Sequence, residues 1–363
     1  MKYIKNKNRK KGNIFNIQFK YLNLIIFLIF FLIILSEESK IKFPKLNLYS
    51  EIMINIKNKG EQAILFKNIA QWKGKNITFN YMPSEIYINN IPQTITKDLK
   101  YNFTLQDNDI RIIFNESLKD CNLMFGSTNI TKINFVEFDS SNLVEMLGTF
   151  VDCPKLTSVN LSVLDTSKVT SMCNLFKGCT NLKFLDITNF NTSSVRNMGY
   201  MFHGCNNLMS LNLSHFKTSS AAYLDYMFYN CYNLILLDLS HFDTASVTYM
   251  QCMFYNCSNL ISLDINHFNT SSVTYMQYMF YNCSNLISLD LSHFSTSSVI
   301  YMDSMFSRCN NLISLDLSHF KTSSVTYMDS MFYGCSCLIS LDLSLLIHHL
   351  LLIYIICFLV VVV

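Results

Sequence analysis

Through the second half of the chain, apolar and polar residues follow one another in an order that returns every 26 positions, marked by cysteines at 153, 179, 205, 231, 257, 283, 309 and 335. In the turn that starts at Cys283, the apolar positions are Leu286, Leu289, Leu291, Phe294, Val299, Met302, Met305 and Phe306. Leu289 and Leu291 flank Asp290, which is the alternation of a short strand with leucines inward and aspartate outward. Thr296, Ser297 and Ser298 make a polar corner whose hydroxyls can cap backbone groups. Val299, Met302 and Met305 follow at a spacing of three, which predicts a helical or irregular return arm. A divergent earlier turn uses Ile130, Ile133, Phe135, Phe138, Leu143, Met146 and Phe150. No single turn can enclose such a set, whereas stacked turns bury it continuously. The pattern therefore predicts a parallel β solenoid with one short strand per 26-residue turn.

Outside the repeat the patterning changes. Residues 39–120 lack the period; short extended runs at Glu51–Ile56, Asn76–Tyr81 and Asp109–Phe114 predict a β-rich cap or adapter over the first turn. Met1–Lys20 is basic, Tyr21–Leu35 is almost wholly apolar, and Glu37 and Glu38 follow, the order of a signal peptide or signal anchor. The last stretch, 345–363, is apolar again, and reads either as a membrane segment or as the product of a frameshift. The expected organisation is a leader over 1–38, a cap over 39–120, the repeat over 121–344 and an apolar tail over 345–363. The chain is then expected at the cell surface, held by the membrane through its apolar ends, or secreted if the leader is cut. N-glycosylation sequons such as those at Asn191 and Asn269 suit that destination.

Composition narrows the function. Of 363 residues, 50% are hydrophobic and 15% charged, with 9 Gly and 4 Pro, which excludes a disordered or linker-like chain. The net charge of +3 is concentrated in the leader: Cys153–Ser344 carries 11 Asp against 8 Lys or Arg, a poor surface for nucleic acid. The cysteine column is either a file of small buried hydrophobes or a ladder of disulfides between turns.

Three outward columns recur in the repeat. Asp238, Asp264, Asp290 and Asp316 line the strand face, with Asn160 and Asn212 in the same position of other turns. Beside them run His241, His267, His293 and His319, and a third column holds Tyr249, Tyr275, Tyr301 and Tyr327. An open stripe of Asp and His does not enclose a metal ion, and no turn carries a uniquely placed nucleophile or acid. No enzyme activity, metal or cofactor is expected. Repeated tyrosine among serine, threonine and asparagine suits contact with an extracellular protein or carbohydrate.

The units LDLSHFDTASVTYMQCMFYNC, Leu237–Cys257, and LDLSHFKTSSVTYMDSMFYGC, Leu315–Cys335, resemble the BspA-like leucine-rich repeat surface proteins, in the form often catalogued as a domain of unknown function. The resemblance covers Cys121 to about Ser344. It implies a leucine-rich-repeat-like solenoid and a role in adhesion. The phenylalanine column at 190, 216, 242, 268, 294 and 320 departs from the asparagine that many such repeats place at the turn. The expected function is recognition or adhesion through an extended repeat face; the alternative is a surface coat or matrix element without a specific ligand.

Overall fold

Isoleucine at every second position makes Ser50–Ile56 (β1) a strand with one buried face, and Asn108–Phe114 (β8) answers it with the same alternation. The two pair antiparallel with Ile52 opposite Ile112 and Ile54 opposite Ile110. The computed structural model describes residues 50–341 apart from 66–69, 73–74 and 78. Between β1 and β8 lie Gly60–Ala63 (β2), Ala70–Trp72 (β3), Lys75–Ile77 (β4), Glu85–Ile88 (β5), Ile91–Pro92 (β6) and Lys100–Phe103 (β7). After β8 come Lys132–Glu137 (β9), Ser158–Asn160 (β10), Ser210–Asn212 (β11), Leu236–Asp238 (β12), Ser314–Leu315 (β13) and Ser340–Leu341 (β14). The largest sheet has six strands in the order β10-β9-β1-β8-β5-β6. Its pairs are antiparallel except β9 with β10. Strand β9 belongs to the first turn of the repeat, and β1 lies along its open edge with Ile54 opposite Ile133. An edge that would otherwise present unpaired backbone groups is thereby covered.

The expected parallel β solenoid with helical return arms is corrected by this pairing. Among the described residues extended pairing is largely antiparallel. Parallel strand pairs there are β9–β10, β11–β12 and β13–β14, each of two or three residues, and other turns pair only in single parallel bridges such as Tyr249 with Tyr275. Several turns form no strand at all: Leu263 and Asp264 are in irregular structure, and Ser288 makes a single bridge to Ser314. The strands are short because the residue at the aspartate position folds the chain into a turn at once. Asp238 and Asp290 each accept the backbone N–H two residues on, at 3.0 Å.

The described residues contain no helix. In the return arm from Met250 to Asn256, alternate N–H groups point sideways. Those of Met250, Cys252, Phe254 and Asn256 donate to the carbonyls of Tyr275, Gln277, Met279 and Tyr281 in the next turn, at 2.7–3.0 Å. The intervening Met253, Tyr255 and Cys257 donate to carbonyls three residues back. Cys252 and Asn256 are left-handed, at φ 56° and 57°, and equivalent residues are left-handed in turn after turn. Left-handed residues four apart cannot continue a right-handed helix. The spacing of three therefore reflects successive tight turns, which share that period with a 3₁₀ helix.

Side chains complete the stack. Phe150, Phe176, Phe202, Phe228, Phe254, Phe280 and Phe306 form a file of near-parallel rings with centroids 5.1–5.9 Å apart. Each is fully buried, contributing about 1.5–3 kcal/mol before the entropy cost. The column cysteines form no disulfide. Cys257 Sγ donates to the Phe228 carbonyl at 3.1 Å, and that carbonyl also accepts the Cys231 N–H. The contact recurs in Cys179, Cys205, Cys231, Cys283, Cys309 and Cys335, so every turn needs its own thiol. Burial pushes the Cys231 and Cys283 thiols up to about 12, far from the reactive thiolate. The buried threonines do similar work: Thr270 Oγ1 donates to the Ser295 carbonyl at 2.9 Å and accepts the Ser295 N–H at 2.8 Å.

Among the described residues no helix is long and apolar enough to cross a membrane. The expected transmembrane helix, and the membrane as a partner, are corrected accordingly. The leader over 1–38 and the tail over 345–363, on which that expectation rested, lie outside the described residues.

Candidate binding surface

The aspartate column is placed by the turn that ends each strand segment. Asp238, Asp290 and Asp316 accept the N–H groups of Ser240, Ser292 and Ser318 at 2.9–3.0 Å, and Asp264 accepts that of Asn266 at 3.4 Å. These backbone hydrogen bonds, with those from the serine hydroxyls, hold the carboxyls of Asp238, Asp290 and Asp316 below their ordinary range. Asn160 and Asn212 make the same turn with a neutral oxygen. The position thus requires an acceptor, and the charge is additional to that requirement. All four aspartates are exposed.

The histidine column is not uniform. His267 is half-buried, with Nε2 3.0 Å from the Leu239 carbonyl of the preceding turn, as His215 is with Ile187 at 2.7 Å. His241 and His293 are exposed, and their Nδ1 atoms meet the hydroxyls of Ser240 and Ser292. His319 is exposed on the rim of an open recess of about 620 Å³, together with Ser295, Ser318 and Lys321.

The tyrosine column stacks on itself. Tyr249, Tyr275, Tyr301 and Tyr327 lie 4.9–5.1 Å apart between ring centroids with planes 3–11° from parallel. Inner rings therefore spend both faces on their neighbours and present edges to the outside. Tyr327 is 49% exposed, the others half-buried. A second file, His203, Tyr229, Tyr255 and Tyr281, stacks at 4.4–4.6 Å. Burial in it, with Lys177 nearby, lowers the His203 imidazole to about 4.

One feature of the surface lies outside the three columns. Met209, Ile235, Ile261, Ile287 and Ile313, each four residues after its cysteine, are 39–49% exposed and form an apolar row. The sequence carried the signal, an apolar residue directly after the buried leucine and before the strand, at a position where burial would break the strand's alternation. Between that row and the aspartates stand Ser262, Ser288 and Ser314, also exposed. Among the described residues no group of three or more His, Cys, Asp or Glu is gathered as a metal site would require.

The repeat matches the model of the family described as "Mycoplasma protein of unknown function, DUF285" over residues 119–236, 144–262, 170–287 and 260–342. No curated protein matches the chain.

Proposed function

The chain belongs to the DUF285 family of repeat proteins, and from that premise we propose that it is a recognition or adhesion protein, displayed at a cell surface or secreted, that binds a protein or glycan ligand through an extended face of its repeat. The resemblance to BspA-like leucine-rich repeat surface proteins supports this reading. So does the one observation that carries it. Turn after turn, the interior is closed by the same leucine, phenylalanine, methionine, cysteine and threonine positions, while exposed aspartate, serine and isoleucine recur in register beside them. Such a surface offers many equivalent contacts along one axis, which suits a multivalent ligand. We read the protein as non-catalytic, because the polar groups of its aspartate and serine columns recur from turn to turn.

The test is to label intact cells that express the tagged full chain with an impermeant reagent, and to present the purified chain to arrays of surface proteins and glycans. Labelling together with saturable capture supports recognition. Labelling without capture leaves the second reading, a structural coat. That reading draws support from the tyrosine faces and aspartate oxygens already engaged within the stack.

A further inference from the structure

The apolar row and the acidic row belong to one band of surface. Ile235, Ile261, Ile287 and Ile313 run along one side of it, and Asp238, Asp264, Asp290 and Asp316 along the other. In this band, from the turn at Cys205 onward, neither row contains a lysine or arginine. The isoleucines are held outward because the preceding Leu234, Leu260, Leu286 and Leu312 are fully buried. Successive aspartates recur one turn apart, and the turns of Asp290 and Asp316 are joined by the bridge between Ser288 and Ser314. The carboxylates of those two turns lie close enough to act on each other. Hydrogen bonds from the N–H and hydroxyl of Ser292, and then the His293 imidazole, hold the Asp290 carboxyl below its ordinary range, against a smaller opposing effect of Asp316. The band is therefore both anionic and apolar; no lysine or arginine stands in it, and the imidazoles of His241, His293 and His319 are the basic groups beside its carboxylates.

We infer that this band is a docking surface for a cationic amphipathic polypeptide segment, one that sets apolar side chains on the isoleucine row and lysine or arginine on the aspartate row. The inference rests on the recognition reading and names its partner class. Charge complementarity selects the occupant. A neutral glycan would leave the carboxylate row uncompensated and the isoleucines against sugar hydroxyls. A second copy of the chain would bring two acidic rows together. The isoleucine row by itself exposes on the order of a few hundred Å², below the roughly 800 Å² per partner of a standard stable interface. A cationic segment meets both rows and relieves the repulsion within the acidic one.

The experiment uses the full chain and two fluorescent synthetic peptides of equal length and charge, one alternating leucine with lysine and the other serine with lysine. Anisotropy titrations at two salt concentrations are expected to show the leucine peptide binding at least tenfold more tightly. The triple variant Ile261→Lys, Ile287→Lys, Ile313→Lys should abolish that preference. Lys183 already occupies the same row, so these variants keep the fold, and unchanged thermal unfolding checks it. The triple variant Asp264→Asn, Asp290→Asn, Asp316→Asn should weaken both peptides and flatten the salt dependence, with Asn160 and Asn212 as precedent for the turn. Equal binding of the two peptides, or indifference to the variants, overturns the inference. A dimer in sedimentation that the isoleucine variants dissolve overturns it in favour of a second copy. Capture on a glycan array that survives both triple variants overturns it while leaving the recognition reading standing. An absence of any capture, peptide or array, removes both.

Discussion

The six-stranded sheet and the repeat that follows it solve the same problem by different means. In β1 and β8 the backbone satisfies itself along seven paired positions, and the side chains have only to alternate, as Ile52, Ile54, Ile110 and Ile112 do. In the repeat the strand pairs are two or three residues long, and the rest of each turn is closed by sideways bonds and by polar side chains held inside. Thr270 and Cys257 are as buried as the isoleucines of the sheet, but each carries a hydrogen bond to the next or the previous turn. A sheet can thus be built from apolar residues of almost any identity. A stack of turns needs a particular residue at each column, which is why the repeat is so strictly periodic.

The sharpest test of that contrast is Phe254→Ala. The ring lies between Phe228 and Phe280 at 5.7 and 5.5 Å, fully buried, so truncation should cost about 3–5 kcal/mol in urea denaturation. Because each turn touches its neighbours, hydrogen exchange should show the loss centred on the turns either side, with β1 and β8 still protected. Ile54→Pro should come next, at about 3 kcal/mol, because β1 is a central strand and proline removes a ladder bond there. Its effect should reach both regions, since β1 also lies along β9. If Ile54→Pro left protection in the first turns intact, β1 would not be the element that closes the repeat.

Thr270→Val separates packing from hydrogen bonding inside the array. Valine keeps the shape but leaves the N–H and carbonyl of Ser295 without the hydroxyl they share. Each unmade bond costs about 1–3 kcal/mol, so a loss of about 2–3 kcal/mol is expected, read as a lower urea midpoint at constant slope. A neutral outcome would mean that the interior of the repeat tolerates any side chain of the right volume, as a sheet does.

Much of the interior was legible before the structure. Leu289, Leu291, Phe294, Val299, Met302, Met305, Phe306 and Cys309 are all buried, because a strict period leaves one consistent inside. The course of the return arm was not, since tight turns and a helix place apolar residues at the same spacing. Half of the correction was nevertheless written in the residue before each cysteine. Gly178, Gly204, Asn230, Asn256, Asn282 and Gly334 are left-handed there, and glycine and asparagine favour that conformation; Asp152 and Arg308 hold it in the other two turns. The other left-handed column gave that sign only in Gly148 and Asn174, because Tyr200, Tyr226, Cys252, Tyr278, Ser304 and Ser330 fill the rest of it. Of the outward columns, the aspartates are exposed as the alternation predicted, whereas Tyr249, Tyr275, Tyr301 and His267 are half-buried, and the sequence did not show that the tyrosines stack on each other or that the aspartates close turns. Those facts depend on the register between turns, which no single unit encodes.

The smallest effect concerns charge, and it separates the acceptor role of the aspartates from their ionisation. The folded carboxyl of Asp290 titrates below its unfolded value, because the N–H and hydroxyl of Ser292 bond to the ionised form. A depressed carboxylate contributes its stabilisation in full above the unfolded value, about 3.9, and loses it as pH falls through the folded one. Asp290→Asn keeps an acceptor oxygen for the turn and removes the titration, as Asn212 does naturally. Stability at neutral pH should hardly move, while the loss below about pH 4 becomes shallower, more so when Asp238 and Asp316 are changed as well. Asp303 supplies the opposite sign. Burial, then the charge of Asp329, raises its carboxyl, so ionisation there opposes folding at neutral pH and protonation relieves it. Asp303→Asn should therefore raise the urea midpoint at pH 7 and leave it unchanged in acid. If both substitutions moved stability in the same direction at the same pH, the aspartates of the outer row would be acting through bulk charge, and their assignment as turn acceptors would be wrong.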